Sequence, residues 1–352
     1  MKLKQIIVMS VVVLCVVTWS VQAAVLTWTE DTTVPNKLQY GFTGVDTVGG
    51  NVYVSGFDQN AGYAGVVFKK SGGVWTNMGA GSGAWLNSVS ATGASNVWSA
   101  GNGRIDHYNG TSWSQTSVAG EVAAIDSSSL MNAVASRPFG GVARTITSDG
   151  GATWTALPAG VGDQDRAVIM NSPTDIWFGT GDSGTWTAYA QHYNGTTYDK
   201  TYTLPIASGY TASKVTGFAQ GGGQLYAVGM NQATWRYDSG SDTWSFIAHP
   251  WANYVAHRAA AVDPTTGDLY VVGDRGMIWS YDLSAGIWEE QLYLDHWNTN
   301  FASIAISNGI LYAVGNGESG ASAGVWMAEI PEPATMSLLG LGIVALIRRQ
   351  RS

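Results

Sequence analysis

Leu225-Tyr226-Ala227-Val228-Gly229 and, a short way downstream, Thr243-Trp244-Ser245 decide the fold, because both phrases recur along the chain. The first reads hydrophobic, aromatic, two small or apolar residues, glycine. Its copies are Val52-Tyr53-Val54-Ser55-Gly56, Val97-Trp98-Ser99-Ala100-Gly101, Leu269-Tyr270-Val271-Val272-Gly273 and Leu311-Tyr312-Ala313-Val314-Gly315. Ile176-Trp177-Phe178 with Gly181 is one residue longer, and Ala133-Val134-Ala135-Ser136 is a worn copy. The second phrase centres on an aromatic and recurs at Trp28, Trp75, Trp113, Trp154, Tyr198, Trp244 and Trp288, 38 to 47 residues apart. Each phrase occurs seven times.

Alternating runs such as Gly276-Met277-Ile278-Trp279-Ser280-Tyr281 lie between the two phrases, and small apolar runs such as Val122-Ala123-Ala124-Ile125 precede the first. Each unit therefore carries four short strand signals divided by Gly, Asn, Asp and Ser turns. Outside the termini no segment holds a 3.6-residue apolar period. Four strands per forty-odd residues is the size of a propeller blade. The expected fold is all-β, a seven-bladed β-propeller of four-stranded blades over residues 24–329, with six or eight blades as alternatives. The seventh unit, about Phe301 to Glu329, ends without its aromatic strand, and a spare one stands at Val25-Leu26-Thr27-Trp28-Thr29. That strand is expected to complete the last blade and close the ring, which removes open sheet edges.

Residues 1–23 read as a signal peptide: Lys2 and Lys4, an apolar stretch, then Val21-Gln22-Ala23, with cleavage expected between Ala23 and Ala24. The mature chain then lacks cysteine, which a domain of this size tolerates. Residues 330–352 form a third segment. Pro331-Glu332-Pro333 precedes an apolar run, Met336 to Ile347, and a basic end with Arg348, Arg349 and Arg351. This resembles the PEP-CTERM sorting signal. The run is short for a bilayer, where about 20 residues are usual, and the arginines would hold the end in the cytoplasm. The resemblance implies an exosortase-type membrane enzyme as a partner. It also implies export to the envelope, outer surface or extracellular matrix of a Gram-negative-type bacterium. The tail, an apolar helix, would touch membrane only before processing and would not pack on the propeller.

Between residues 24 and 329 there are 12 Lys and Arg against 24 Asp and Glu, a net charge of −12. That sign argues against nucleic acid or anionic lipid as partners, since both require a basic footprint. A monomer is expected.

Catalytic signals are sparse. Thr147-Ser148-Asp149-Gly150-Gly151-Ala152-Thr153-Trp154 resembles the Asp-box of sialidases and other propellers, and the repeats resemble kelch-type blades. The box is read as structural: the carboxylate caps its own turn and glycine supplies positive φ. The first arginine of the chain is Arg104, so the early arginine that a sialidase site requires is missing. The five histidines lack metal-ligand spacing. No EF-hand loop, phosphate loop or G-x-S-x-G elbow occurs. No catalytic residue, cofactor or metal is assigned. The pairs Asp163/Asp165 and Glu289/Glu290 are read as surface acids.

Topology nevertheless says where a ligand would sit. Loops leading into the innermost strands share one face with those joining second to third strands. The candidates on that face are Trp85, Asp163, Asp165, Arg166, Tyr210, Trp251, His257, Arg258 and Trp297. Aromatics beside Asp, Asn and Arg suit sugars, ring faces stacking on CH groups while polar groups read hydroxyls. The competing explanation is that the aromatics wedge between blades. A non-catalytic glycan- or protein-binding or structural module is the favoured class. A secreted polysaccharide hydrolase or lyase is the alternative, since the scaffold alone does not decide.

Overall fold

The structure, a computed structural model, describes residues 25–35, 38–79, 83–138, 143–250, 255–294, 299–316 and 323–331. The expected signal peptide and C-terminal helix lie outside the described residues. Among those described, no helix is long and apolar enough to cross a membrane.

Seven antiparallel sheets follow one another along the chain. Blade 1 spans Tyr40–Asn77, and blades 2 to 6 begin with inner strands at Leu86, Ala124, Ala167, Val215 and His257. Blade 7 holds Asn300–Ser307, Ile310–Asn316 and Ala323–Glu329. In blade 2 the second and third strands form one extended run, Asn96–Tyr108. The run doubles back at Gly103 (φ +75°), which sets Trp98 flat on His107 with ring centroids 3.7 Å apart.

Burial grades outward and explains the sequence pattern. The second strand Leu225–Gly229 is buried at every position, because both of its faces pack on neighbouring blades. A continuous apolar run is the signature of such a strand. The outer strand Tyr198–Thr203 alternates half-buried with exposed. The glycine ending the first phrase has a steric cause. A Cβ at Gly101 would lie 1.9 Å from the Trp85 carbonyl oxygen, and one at Gly273 2.1 Å from that of Ala256. The loop leading into each blade crosses its second strand there.

The ring closes as expected, with a shifted boundary. The closing strand is Thr29–Glu30, paired with Met327 and Trp326, rather than Val25–Thr29. Leu26 is held elsewhere: its side chain packs with blades 6 and 7, and its N–H donates to Gln291 Oε1 of blade 6 at 2.7 Å. Side-chain packing and that bond keep the chain off the ladder until Thr29.

The seam then follows a pattern seen in blades 2 and 6. The outer-strand Trp113 donates its indole N–H to the Met78 carbonyl at 2.9 Å, and Trp288 donates to that of Ala248 at 3.1 Å. In each case the acceptor lies just past the outer strand of the preceding blade. Trp75 does the same to Asp31, using the carboxylate, at 2.9 Å. Lys70 adds an ion pair to that carboxylate at 2.6 Å. Burial pushes the Asp31 pKa up, but the bonds from Lys70, Thr33 and Trp75 outweigh it and hold the group at about 2.

Candidate binding face

The loops joining second to third strands meet the leading loops through backbone hydrogen bonds. Gly65 N–H donates to Gly83 O at 3.1 Å, Gln232 N–H to Val255 O at 2.8 Å and Asp274 N–H to Ala256 O at 3.1 Å. Together they form one face around the channel. Seven described residues other than glycine adopt left-handed φ, and five of them sit in these loops: Tyr63, Trp186, Asn231, Gln232 and Arg275. Each such conformation costs about 1–2 kcal/mol, and such strain clusters at functional sites. Tyr63, Trp85 and Trp186 also expose their rings here, at 53%, 38% and 62%.

The loop bearing Trp186 is shaped from beneath. Asp182 accepts hydrogen bonds from the N–H groups of Gly184 and Thr185, both at 2.8 Å. Asp163 accepts from Ser183 N–H at 3.0 Å and from its hydroxyl. A Cβ at Gly181 would lie 1.9 Å from Ser213 O, so the longer phrase of blade 4 brings its loop against the approach to blade 5. Gly181 forms a backbone bridge with Lys214.

Lys214 is the centre of a sector where three cations, Arg166, Arg258 and itself, stand with Asp163 and Asp274. Its ammonium donates to Gln164 Oε1 at 2.7 Å. Burial lowers its pKa, and the charges of Arg166 and Arg258 lower it further against the opposing pull of Asp163. Arg166 stands immediately before the inner strand of blade 4, its N–H bonded to Gly179 O at 3.1 Å, and borders the channel. Arg258 occupies a β-bulge between His257 and Ala259 and pairs with Asp274. In blades 1, 2 and 5 the same bulge carries a short polar side chain that clasps the next blade. Thr43 donates to Leu86 O at 2.6 Å, Asn87 to Val122 O at 2.8 Å and Thr216 to His257 O at 2.5 Å. Arg258 instead points its guanidinium outward.

The sequence-selected candidates divide into three groups. Trp85, Asp163, Arg166 and Arg258 reach the face. Asp165, His257 and Tyr210 serve the fold beneath it. Asp165 is fully buried and accepts both Arg144 Nε at 2.7 Å and Arg144 Nη2 at 2.8 Å. The Arg144 guanidinium also lies 4.2 Å from the Phe178 ring centroid and 4.8 Å from that of Tyr198. His257 is fully buried beside the Thr234 hydroxyl at 3.1 Å, and burial followed by the His249 charge drives its pKa well down. Tyr210 bonds through its hydroxyl to the His249 carbonyl. Trp251 and Trp297 lie outside the described residues. Lys214 was not selected, although the extra residue before Gly181 marked the loop beside it.

Two other concave features, the channel and a groove, have polar groups committed to the fold. The channel, about 460 Å³, is lined by all seven inner strands. Asp46 borders it and accepts Ala91 N–H at 2.7 Å across a blade boundary, as Asp126 accepts Met170 N–H at 2.7 Å. Burial raises both carboxyl groups, Asp46 to about 7. Their oxygens are spent on holding blades together. On the opposite face a groove of about 430 Å³ between blades 4 and 5 contains Trp177, His192, Lys200 and Tyr237. Its polar groups satisfy one another: His192 lies between Asp175 at 3.0 Å and Asp199 at 2.7 Å, and Lys200 and Tyr202 both bond Asp242 at 2.6 Å. Among the described residues no three acidic, histidine or cysteine side chains could hold a metal ion.

Residues 329–352 match the PEP-CTERM protein-sorting motif. The motif implies recognition by an exosortase and export to the surface or exterior. No curated protein sequence matches the chain closely enough to bear on function. Among the solved structures that share the propeller are these three. YCF48 bound to D1 peptide is 17% identical with a TM-score of 0.63, covering 88% of this chain and 96% of that one. The Cps50 (Swd1) propeller of Myceliophteria thermophila is 10% identical with a TM-score of 0.63, covering 87% and 100%. The WD40 propeller of Doa1 is 12% identical with a TM-score of 0.59, covering 86% and 95%. At these identities the likeness concerns the fold alone. The kelch and Asp-box resemblance gains no support from these comparisons. The turn itself behaves as read: Asp149 accepts Thr153 N–H at 2.9 Å, and Trp154 packs edge-on to Trp98 of blade 2 at 5.8 Å.

Proposed function

We propose that this protein is an exported, non-catalytic recognition module, sorted through its C-terminal motif and binding glycan or protein with its loop face. One observation carries the reading: strained non-glycine residues and exposed aromatics gather in the loops of a single face. Strain of this kind persists where a surface is kept in one shape for a ligand. Exposed rings beside polar side chains supply flat apolar contact with directional bonds around it. A propeller of similar shape, YCF48, is described as bound to a D1 peptide, so such scaffolds can present a ligand face. The signal peptide at residues 1–23 and a monomeric state belong to the same proposal.

The test is an array of glycans, polysaccharides and surface proteins, with reducing ends and unsaturated products assayed in parallel. Saturable binding without turnover, weakened by Trp186→Ala, is the expected result. Turnover of any bound glycan would overturn it in favour of a hydrolase or lyase.

A further inference from the structure

We propose that the sector formed by Arg166, Lys214, Arg258 and Trp186 binds an acidic glycan, its carboxylates held by the cations and a sugar ring stacked on the indole. This deepens the recognition reading and rests on it.

The chain between residues 24 and 329 carries a net charge of −12, with only 12 cationic side chains. Three of the twelve stand together on blades 4, 5 and 6 at the channel mouth. Like charges brought together destabilise one another unless something gathers them. At Lys214 burial disfavours the charged form first, and Arg166 and Arg258 add to it against the pull of Asp163. The blade-to-blade clasp seen at Thr43, Asn87 and Thr216 is absent at Arg258, so that residue is not there to join blades. Asp274 engages Arg258 at Nε, which leaves the terminal guanidinium nitrogens for a second carboxylate. The Lys214 ammonium meets an amide oxygen, a neutral partner that an anion can join.

The neighbouring groups narrow the ligand class. Trp186, 62% exposed, stands in the loop that Asp163 and Asp182 hold, next to the Gly181–Lys214 bridge. An indole face beside cations fits a sugar ring bearing a carboxylate. An extended peptide that adds to a sheet would require a free strand edge, whereas Arg166, Lys214 and Trp186 stand just outside the strands. The surrounding negative field repels polyanions at long range, so recognition here depends on close contact, and a ring to stack on supplies it.

The experiment uses the purified full chain with polygalacturonate as the acidic probe and dextran as the neutral one. Binding to polygalacturonate but not dextran is expected. Lys214→Gln and Trp186→Ala are each expected to weaken it by about tenfold or more. Lys200→Gln, on the opposite face, should leave it unchanged. Equal binding of dextran, indifference to Lys214→Gln, or no binding of polygalacturonate would overturn the proposal. A neutral glycan or a protein bound in the array while polygalacturonate is ignored would leave the recognition reading standing and remove only this one. Arg258→Gln provides a second variant should Lys214→Gln fail to fold.

Discussion

The two faces of the ring reverse their strands by different means. On the turn face, Asn109 accepts hydrogen bonds from Thr111 and Ser112, Gly110 takes the positive φ, and the turn is complete in itself. Asp238 with Gly240 and Asp282 with Ser284 and Ala285 repeat the arrangement. On the loop face, tryptophan, tyrosine, arginine and glutamine adopt the conformation that glycine would adopt freely. Asp58 and Asp182 cap these loops from within, and contacts with neighbouring loops complete their shape. A chain that solves the problem cheaply on one side and expensively on the other marks the second side as the one with a further task.

The largest break in this comparison should come from below the loop face. Arg144→Ala strands the buried Asp165 carboxylate, and a loss of about 3–5 kcal/mol in denaturant unfolding is expected. Loss of under 1 kcal/mol would mean that the loops stand without that support.

That pair also shows where reading the sequence stops. Ring, blade number and seam were legible because the repeat is periodic and the missing strand left a matching surplus at the other end. The fate of individual polar residues was not. Asp163 and Asp165 look alike in sequence, yet one caps an exposed loop while the other is buried against an arginine on the preceding blade. Depth depends on which strands cross beneath a loop, and alternation carries no such information. Arg258 was chosen for its charge; its bulge, which decides where it points, leaves no mark in a single sequence. Leu26 moved the seam because a side-chain amide 265 residues away in blade 6, that of Gln291, claimed its N–H.

The seam gives the next effect. Asp31→Asn is expected to lower stability by about 2 kcal/mol at neutral pH, since its carboxyl is held at about 2 against an ordinary 3.8. A depressed acid contributes fully above its unfolded value. The difference between wild type and variant should therefore persist down to about pH 4 and vanish as pH falls towards 2. Asp46 has the opposite sign: raised to about 7, it favours the folded state most when protonated. Its contribution should decline between about pH 4 and pH 7, and Asp46→Asn should flatten that slope in thermal scans. A slope unchanged in the variant would assign the titration to another group.

The smallest effects sharpen the contrast directly. Asn109→Ala removes a turn cap and should cost about 1 kcal/mol. Trp186→Gly relieves a left-handed residue and should leave thermal stability unchanged or slightly raised, while removing ligand binding. A marked loss of stability in Trp186→Gly would identify the exposed ring as a packing element.

The most direct measurement is hydrogen exchange of the full chain with and without the strongest ligand from the array. The account expects added protection in residues 163–166, 183–187 and 210–214 and around Arg258, with the turn face unaltered. Protection confined to residues 171–175, 192–200 and 237–242, the groove on the opposite face, would contradict it.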